Sequence, residues 1–149
     1  TFVWVTTHNL PPVVASHFDA SGVANGFMSR QFYSWFMLGF VVGLPLLVAL
    51  VPSLAIRSKR ASFNLPNRDY WLADERRKAT VAFLCAHMAI FASLLALFLC
   101  YVHWLVVRAN TQSPPQLSNP LFLRGLLAFA TLAAIWLGVL LVRFRKPRA

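Results

Sequence analysis

Acidic side chains, and charges in general, are scarce in this sequence. Its 149 residues include four Asp and Glu, and all charged residues together make up only 12%. Soluble globular domains carry about 25% charged residues, so this composition excludes an ordinary soluble domain. Hydrophobic residues, at 58%, take the place of the missing charges.

Charges are absent altogether from three long runs, residues 31–56, 79–107 and 125–142. A helix needs roughly 20 apolar residues to cross the hydrocarbon core of a bilayer, and lipid offers the backbone no hydrogen-bond partners. The runs therefore predict an all-α fold, a polytopic transmembrane helical bundle with three complete spans and the lipid bilayer around it.

The apolar residues 1–7 are predicted to be the end of a truncated N-terminal span that precedes the three complete ones. Residues 1–149 as a whole are predicted to form one membrane domain. Its predicted segments after residue 7 are an outer loop (8–31), a span (32–56), a cytoplasmic loop (57–78), a span (79–107), an outer loop (108–119), a span (120–142) and a cytoplasmic tail (143–149).

The basic residues are distributed unevenly between the two sides of this arrangement. Of the 14 Lys and Arg, only Arg30, Arg108 and Arg124 lie outside the loop 57–78 and the C-terminal tail, which leaves 11 in those two segments. Cytoplasmic loops carry such an excess, so the loop and the tail are predicted to be cytoplasmic. Because topology already accounts for the positive charge, nucleic acid is not predicted as a partner.

Several classes of chemistry lack the residues that they need. No acidic residue lies in a span, which argues against a proton pump or a cation-coupled transporter, and Asp19 is the only acid in the outer segments. There is no G-x-S-x-G turn and no Gly-rich phosphate loop. Cys85 and Cys100 would lie about 22 Å apart on one helix, beyond the reach of a disulfide. We therefore predict no catalytic residue, no cofactor and no bound metal.

The first outer loop carries turn signals and three polar side chains of interest. Asp19 to Gly22 has the Asp-x-x-Gly spacing of a type I turn, so Asp19 is predicted to accept backbone N–H bonds there. The poor alternation of the neighbouring apolar residues predicts a compact extended loop rather than a hairpin. As an alternative, His8, His17 and Asp19 could ligate a divalent metal from the outer side.

Two histidines lie in the second span. An ionisable group inside a membrane is a functional hypothesis by default. His87 is predicted to donate a hydrogen bond across a helix pair, whereas His103 is predicted to be hydrated near the outer interface. The two lie about 24 Å apart along one helix, so they cannot share one metal ion.

Small residues recur at helical spacing in every span and are predicted to pack against other helices. In the second span they alternate at intervals of four and three, which is the seam of a left-handed helix pair. The predicted packing positions are Gly39 and Gly43 in the first span, Ala82, Ala86, Ala89, Ser93 and Ala96 in the second, and Ala130, Ala134 and Gly138 in the third.

The predicted boundaries and irregularities of the helices depend on a few residues. Pro45 removes a backbone donor and should kink the first span, and Pro52 should bend or end it. Asp74 is predicted to be the N-cap of the second helix. Asn119 is predicted to be the cap of the third, with Pro120 at its first position.

The loop sequence LPPVVASHFDASGVANGF, residues 10–27, resembles that of a family of bacterial membrane proteins of unknown function, whose outer-loop module is shared with SdpI-like immunity and signalling proteins. Residues 64–77 resemble a further segment of that family. With the charge distribution, the resemblance implies a multi-pass protein of the bacterial cytoplasmic (inner) membrane with this loop outside. The residues that match the loop pattern are Leu10, Pro11, His17, Phe18, Asp19, Gly22 and Gly26.

Three functional hypotheses follow. The leading one is a non-catalytic integral membrane protein, an accessory or scaffold subunit whose partners are the transmembrane helices of a larger complex. The second is an envelope sensor or immunity-type protein that binds a peptide or a lipid through its outer loop. The third is a metal-dependent membrane enzyme or carrier that uses His8, His17 and Asp19.

Overall fold

The computed structural model describes residues 2–58 and 65–145, and the predicted cytoplasmic loop and tail lie partly outside that range. It confirms the all-α fold and adds a small hairpin at the end of the bundle that is predicted to lie outside the membrane. The elements in chain order are α1 (Phe2–Thr7), β1 (Val13–Phe18), β2 (Ala24–Ser29), α2 (Arg30–Leu38), a π-helical turn (Gly39–Gly43), α3 (Leu44–Arg57), α4 (Arg68–Trp71), α5 (Asp74–Ala109) and α6 (Asn119–Arg143).

Within residues 2–58 and 65–145, three helical segments are long and apolar enough to cross a membrane, as predicted. They run from Arg30 to Arg57, from Asp74 to Ala109 and from Asn119 to Arg143, with 28, 36 and 25 residues. Each exceeds the roughly 20 residues that the hydrocarbon core requires. The protein is therefore a multi-pass membrane protein.

The first span contains a π-helical turn at Gly39–Gly43, which ends two residues before Pro45. Proline has no N–H, so the carbonyl four residues earlier loses its donor and the regular ladder is interrupted. Prolines and π-helical turns are both recognised positions of helix kinks. Pro52 does not end the helix, because α3 continues to Arg57.

The α5 helix is the centre of the fold. It contacts α3 along one side and α6 along another, and α1 packs at its outer end beside α2. A first cluster of buried residues joins α1, the hairpin, α2 and α5, so the hairpin rests on the outer helix ends. Its members are Val3, Leu10, Val14, Tyr33, Met37, Val41, Leu99 and Val106.

The contact between α5 and α6 is made by aromatic side chains. Phe98 stacks on Phe129 with the ring centroids 4.6 Å apart. Nearer the outer side, a side chain on Gly125 would collide with the ring of Tyr101, and the Tyr101 hydroxyl donates to the Leu121 carbonyl at 2.6 Å. Aromatic pairs contribute about 0.5–1.5 kcal/mol beyond the area they bury, so these rings can hold two helices together without a seam of small residues.

The predicted small-residue seams are not used among the described residues of this chain. Consecutive residues of a helix are turned by 100° from each other, so the small residues of α5 lie on the side opposite its buried positions. Of these five residues, Ala96 alone is partly covered. The spacing places these residues on one face of α5, but periodicity does not specify the partner of that face. The exposed positions are Ala82, Ala86, Ala89 and Ser93 on α5 and Ala130 and Ala134 on α6, while a Cβ added at Gly39, Gly43 or Gly138 would meet no atom of another described segment within 4 Å.

Two predicted helix caps are wrong by one residue. Asp74 is the first residue of α5, and the cap is Ala73, which makes no side-chain hydrogen bond. Asn119 is the first residue of α6 after Ser118, and its amide donates instead to the Ala20 carbonyl at 2.8 Å. A tertiary hydrogen bond to the hairpin thus replaces the local one.

Candidate functional site: the outer hairpin and its groove

The first outer loop is an antiparallel β-hairpin, so the prediction of an extended loop without a hairpin is wrong. Ala15 pairs with Phe27 and His17 pairs with Gly26, which leaves Ser16 without a partner in the register. An unpaired residue of this kind is a β-bulge, and it breaks the two-residue alternation of side chains. The alternation rule therefore missed the strand for a local reason.

The hairpin turn is built as the Asp-x-x-Gly spacing predicts. One carboxylate oxygen of Asp19, Oδ1, accepts from the backbone N–H groups of Ser21 and Val23, each at 2.9 Å. It also accepts from the Ser21 hydroxyl at 2.6 Å. Gly22 follows with φ at 85°, a left-handed conformation that glycine adopts without steric cost. Asp19 is thus a residue that shapes the loop.

The hydrogen bond from the Ser21 hydroxyl, followed by that from the Val23 backbone, lowers the pKa of Asp19. A carboxyl whose pKa is lower in the folded protein adds stability above its unfolded pKa. That contribution is lost as the pH falls through the lowered value. At neutral pH the turn therefore carries an ionised carboxylate.

A second outer segment holds the hairpin turn in place. The Leu117 N–H donates to the Gly22 carbonyl at 2.8 Å, and Val23 forms an isolated bridge with Gln116. The Asn119 amide donates to Ala20 in the same turn. The two outer loops therefore lie at one end of the molecule and form one unit.

Asn110 fixes the first strand to the end of α5, and sequence reasoning missed it. Its Oδ1 accepts from the Ala15 N–H at 2.8 Å, and its Nδ2 donates to the Ala15 carbonyl at 2.9 Å. An amide side chain that meets both backbone groups of one residue takes the place of a neighbouring strand. The only signal in the sequence was a polar residue directly after a helix end.

The remaining residues of the loop pattern also have structural positions. Leu10 is buried, and Pro11 is exposed before β1. Phe18 packs against the first cluster of buried residues, which joins α1, the hairpin, α2 and α5. A Cβ at Gly26 would lie 2.9 Å from the Cβ of His17. Glycine at this position therefore allows the two strands to approach each other beside the bulge.

The three residues of the metal hypothesis are not brought together. His8 lies at the end of α1 in a shallow depression with Trp4 and Trp35, whereas His17 and Asp19 line a different groove. Among residues 2–58 and 65–145, no group of three His, Cys, Asp or Glu could hold a metal ion. The hypothesis of a metal site at His8, His17 and Asp19 is therefore wrong.

A groove of about 760 Å³ lies between the hairpin and the outer ends of α5 and α6. Its floor includes Leu105 and Val106, which are 2% and 7% exposed. Its rim carries the polar side chains of Ser16, His17 and Asp19. The other lining residues, mainly apolar, are Phe18, Ala20, Val102, Leu117, Asn119, Pro120, Phe122 and Leu123. An apolar trough with a polar rim has the composition of a site for an amphipathic molecule.

His103 is buried and fully hydrogen-bonded, so the prediction that it is hydrated is wrong. It has no exposed surface, because α1 and α2 cover this part of α5. Its Nδ1 lies 2.9 Å from the Tyr33 hydroxyl and its Nε2 lies 2.7 Å from the Thr6 hydroxyl. Thr6 also donates to the Phe2 carbonyl, which leaves its oxygen free to accept from Nε2–H. His103 thus ties α1 and α2 to α5.

His87 makes the hydrogen bond across a helix pair that was predicted for it. Its Nε2 lies 3.0 Å from the Trp136 carbonyl, and since a carbonyl only accepts, Nε2 must be the donor. The Trp136 indole donates back to the His87 carbonyl at 2.8 Å, and the two rings stack at 4.5 Å. This pair strengthens the aromatic seam between α5 and α6.

Comparison with known proteins relates one part of the chain to a family. No curated protein and no solved structure matches the chain. The matched family model is described as a domain of unknown function (DUF1648), and it covers residues 1–48. Those residues comprise α1, the hairpin, α2 and the first turns after it, so the first outer loop and the start of the first span are similar to an uncharacterised family of proteins.

Proposed function

We propose that this protein is a non-catalytic accessory or scaffold subunit that packs against the transmembrane helices of a larger membrane complex. The observation that carries the proposal is the open small-residue face of α5, whose residues Ala82, Ala86, Ala89 and Ser93 are all exposed. Helices associate in lipid where small side chains let their backbones approach closely. This face points away from the helices that α5 already contacts, so a further helix can lie on it.

Replacing Ala89 with leucine tests this role. Because the position is exposed within the chain, the variant should keep its own thermal midpoint. It should lose about tenfold or more of its affinity for the larger subunit, since overpacking a helix contact costs typically 1–3 kcal/mol. The measurement is the fixed-ratio recovery of that subunit with the tagged protein.

The matched control is Ile90→Phe, which adds bulk to the next residue of α5, 100° away from the small face. It should leave the recovery unchanged. Ala92→Leu, at a buried position, should instead lower the thermal midpoint of the chain itself. Unchanged recovery with Ala89→Leu, or a protein that is always isolated alone, would refute the accessory role.

We also propose that the protein lies in the bacterial cytoplasmic membrane with its hairpin outside. The two outer loops contact each other, and at the opposite end the Asn67 amide donates to the Phe144 carbonyl. The excess of Lys and Arg at that opposite end supports a cytoplasmic position for it.

A cysteine that replaces Ser113 should react with a membrane-impermeant reagent in intact cells, whereas one that replaces Ser58 should not. The reverse labelling would invert the topology.

The second candidate is an envelope sensor or immunity-type protein that binds a peptide or a lipid through the outer unit. The groove beneath the hairpin favours it, since it combines an apolar floor with a polar rim. The resemblance of residues 10–27 to SdpI-like proteins supports the same role. Cells without the protein should then be more sensitive to a membrane-active toxin, and equal sensitivity would contradict this role.

A further inference from the structure

We propose that the groove beneath the hairpin binds a phospholipid with a primary amine in its headgroup, of the phosphatidylethanolamine class. One acyl chain would lie in the apolar trough, and the ammonium group would meet Asp19. The proposal deepens the second candidate function, from which it takes the outer unit as a binding site. It does not depend on the accessory role.

The depth of the groove fits a molecule taken from the bilayer. Its floor is formed by α5 at the level of Trp104, whose ring lies 5.5 Å from the guanidinium of Arg108. Tryptophan and arginine settle at the membrane–water interface. The groove therefore has its apolar part toward the hydrocarbon and its polar rim at the level of the headgroups, which is the orientation of a lipid that stands in its own leaflet.

Asp19 determines which headgroup fits. All three of its side-chain hydrogen bonds go to Oδ1, so Oδ2 is left without a partner among the residues that the structure describes. It is also the only acid in the outer segments. A primary ammonium can donate a charge-assisted hydrogen bond to Oδ2. A choline group has no N–H to donate, and a glycerol headgroup leaves the phosphate charge uncompensated beside the carboxylate.

The ammonium group of such a lipid has a second partner on the rim. His17 is exposed, and its Nδ1 lies 3.2 Å from the Ser16 hydroxyl. The Ser16 hydroxyl donates its hydrogen to the Gly26 carbonyl at 3.4 Å, so its oxygen accepts from Nδ1–H. In the neutral imidazole Nε2 is then an acceptor, which can receive an ammonium N–H. The rim thus offers two acceptors for the amine, Asp19 Oδ2 and His17 Nε2.

The test uses the whole chain, purified in detergent and exposed to an equimolar mixture of phosphatidylethanolamine, phosphatidylcholine and phosphatidylglycerol with identical acyl chains. Native mass spectrometry then measures which lipid remains bound. We expect about tenfold enrichment of phosphatidylethanolamine, since a hydrogen bond to a charged group is worth roughly that factor or more. Asp19→Asn should abolish the preference and keep the fold, because asparagine also supports this turn.

Two further variants complete the design. Leu123→Trp fills the groove at a residue that is 54% exposed, so it should reduce the retention of all three lipids while the chain stays folded. Asp69→Asn removes an acid at the opposite end of the molecule and should change nothing.

Equal retention of the three lipids, a preference for phosphatidylglycerol, or a preference that survives Asp19→Asn would overturn the proposal. Displacement of every lipid by a peptide with a free N-terminus would do so as well. The outcome is separable from the sensor or immunity role. Selective amine-lipid binding without any effect on toxin sensitivity would refute that role alone, while toxin protection that persists in Asp19→Asn would leave that role standing without this ligand.

Discussion

Replacing Gly22 with valine should disrupt the outer hairpin. Gly22 has φ at 85°, where a β-branched residue is strained, and a Cβ at this position would collide with the Leu117 carbonyl. The N–H group of the same residue, Leu117, donates to the Gly22 carbonyl. Relief of the collision would therefore break the contact between the two outer loops. We expect a loss of about 2–4 kcal/mol from strain and collision together.

The effect of Gly22→Val is best measured as a fall in the thermal midpoint together with faster hydrogen exchange of the Val23 and Leu117 amides. Gly138→Val makes the same substitution where no atom of another described segment lies within 4 Å, so it should have little effect. Asp19→Asn should be mild, since asparagine also caps turns. If Gly22→Val kept both the midpoint and the amide protection, the contact between the two outer loops would not stabilise the fold.

The spans and the hairpin turn could be predicted from sequence because local physics determines both. A charge-free run in lipid has only one way to satisfy its backbone hydrogen bonds, which is a helix. The turn depends on Asp19 and Gly22, whose roles need no information from distant residues. The two strands beside the turn were missed because the bulge at Ser16 hides their alternation.

The contacts between helices could not be predicted from periodicity alone. The stripe through Ala89 and the aromatic row through Phe98 both recur at helical spacing on α5, and either could have formed the seam. Phe129 and Trp136 on α6 match the aromatic row, a choice that depends on how two distant segments meet. The same holds for Asn110, whose partner Ala15 lies 95 residues away.

The two histidines of α5 should respond very differently to replacement by leucine. His103→Leu removes the partner of the Tyr33 hydroxyl, and Tyr33 is only 2% exposed. A buried polar group without a partner costs about 1–3 kcal/mol. His87→Leu should cost less, because the Trp136 carbonyl that it contacts lies within α6, where the backbone ladder also bonds it.

A double substitution separates the hydrogen bond of His103 from its packing. Tyr33→Phe combined with His103→Leu removes both partners, so the penalty for an unpaired hydroxyl disappears and the double variant should be more stable than His103→Leu alone. Hydrogen bonds between membrane helices measured by such cycles contribute on average about 0.6 kcal/mol and at most about 1.7. We therefore expect a coupling energy of about 1 kcal/mol from thermal or denaturant unfolding in detergent. Strictly additive effects, or a larger loss in His87→Leu than in His103→Leu, would show that the bond from His103 to Tyr33 does not tie α2 to α5.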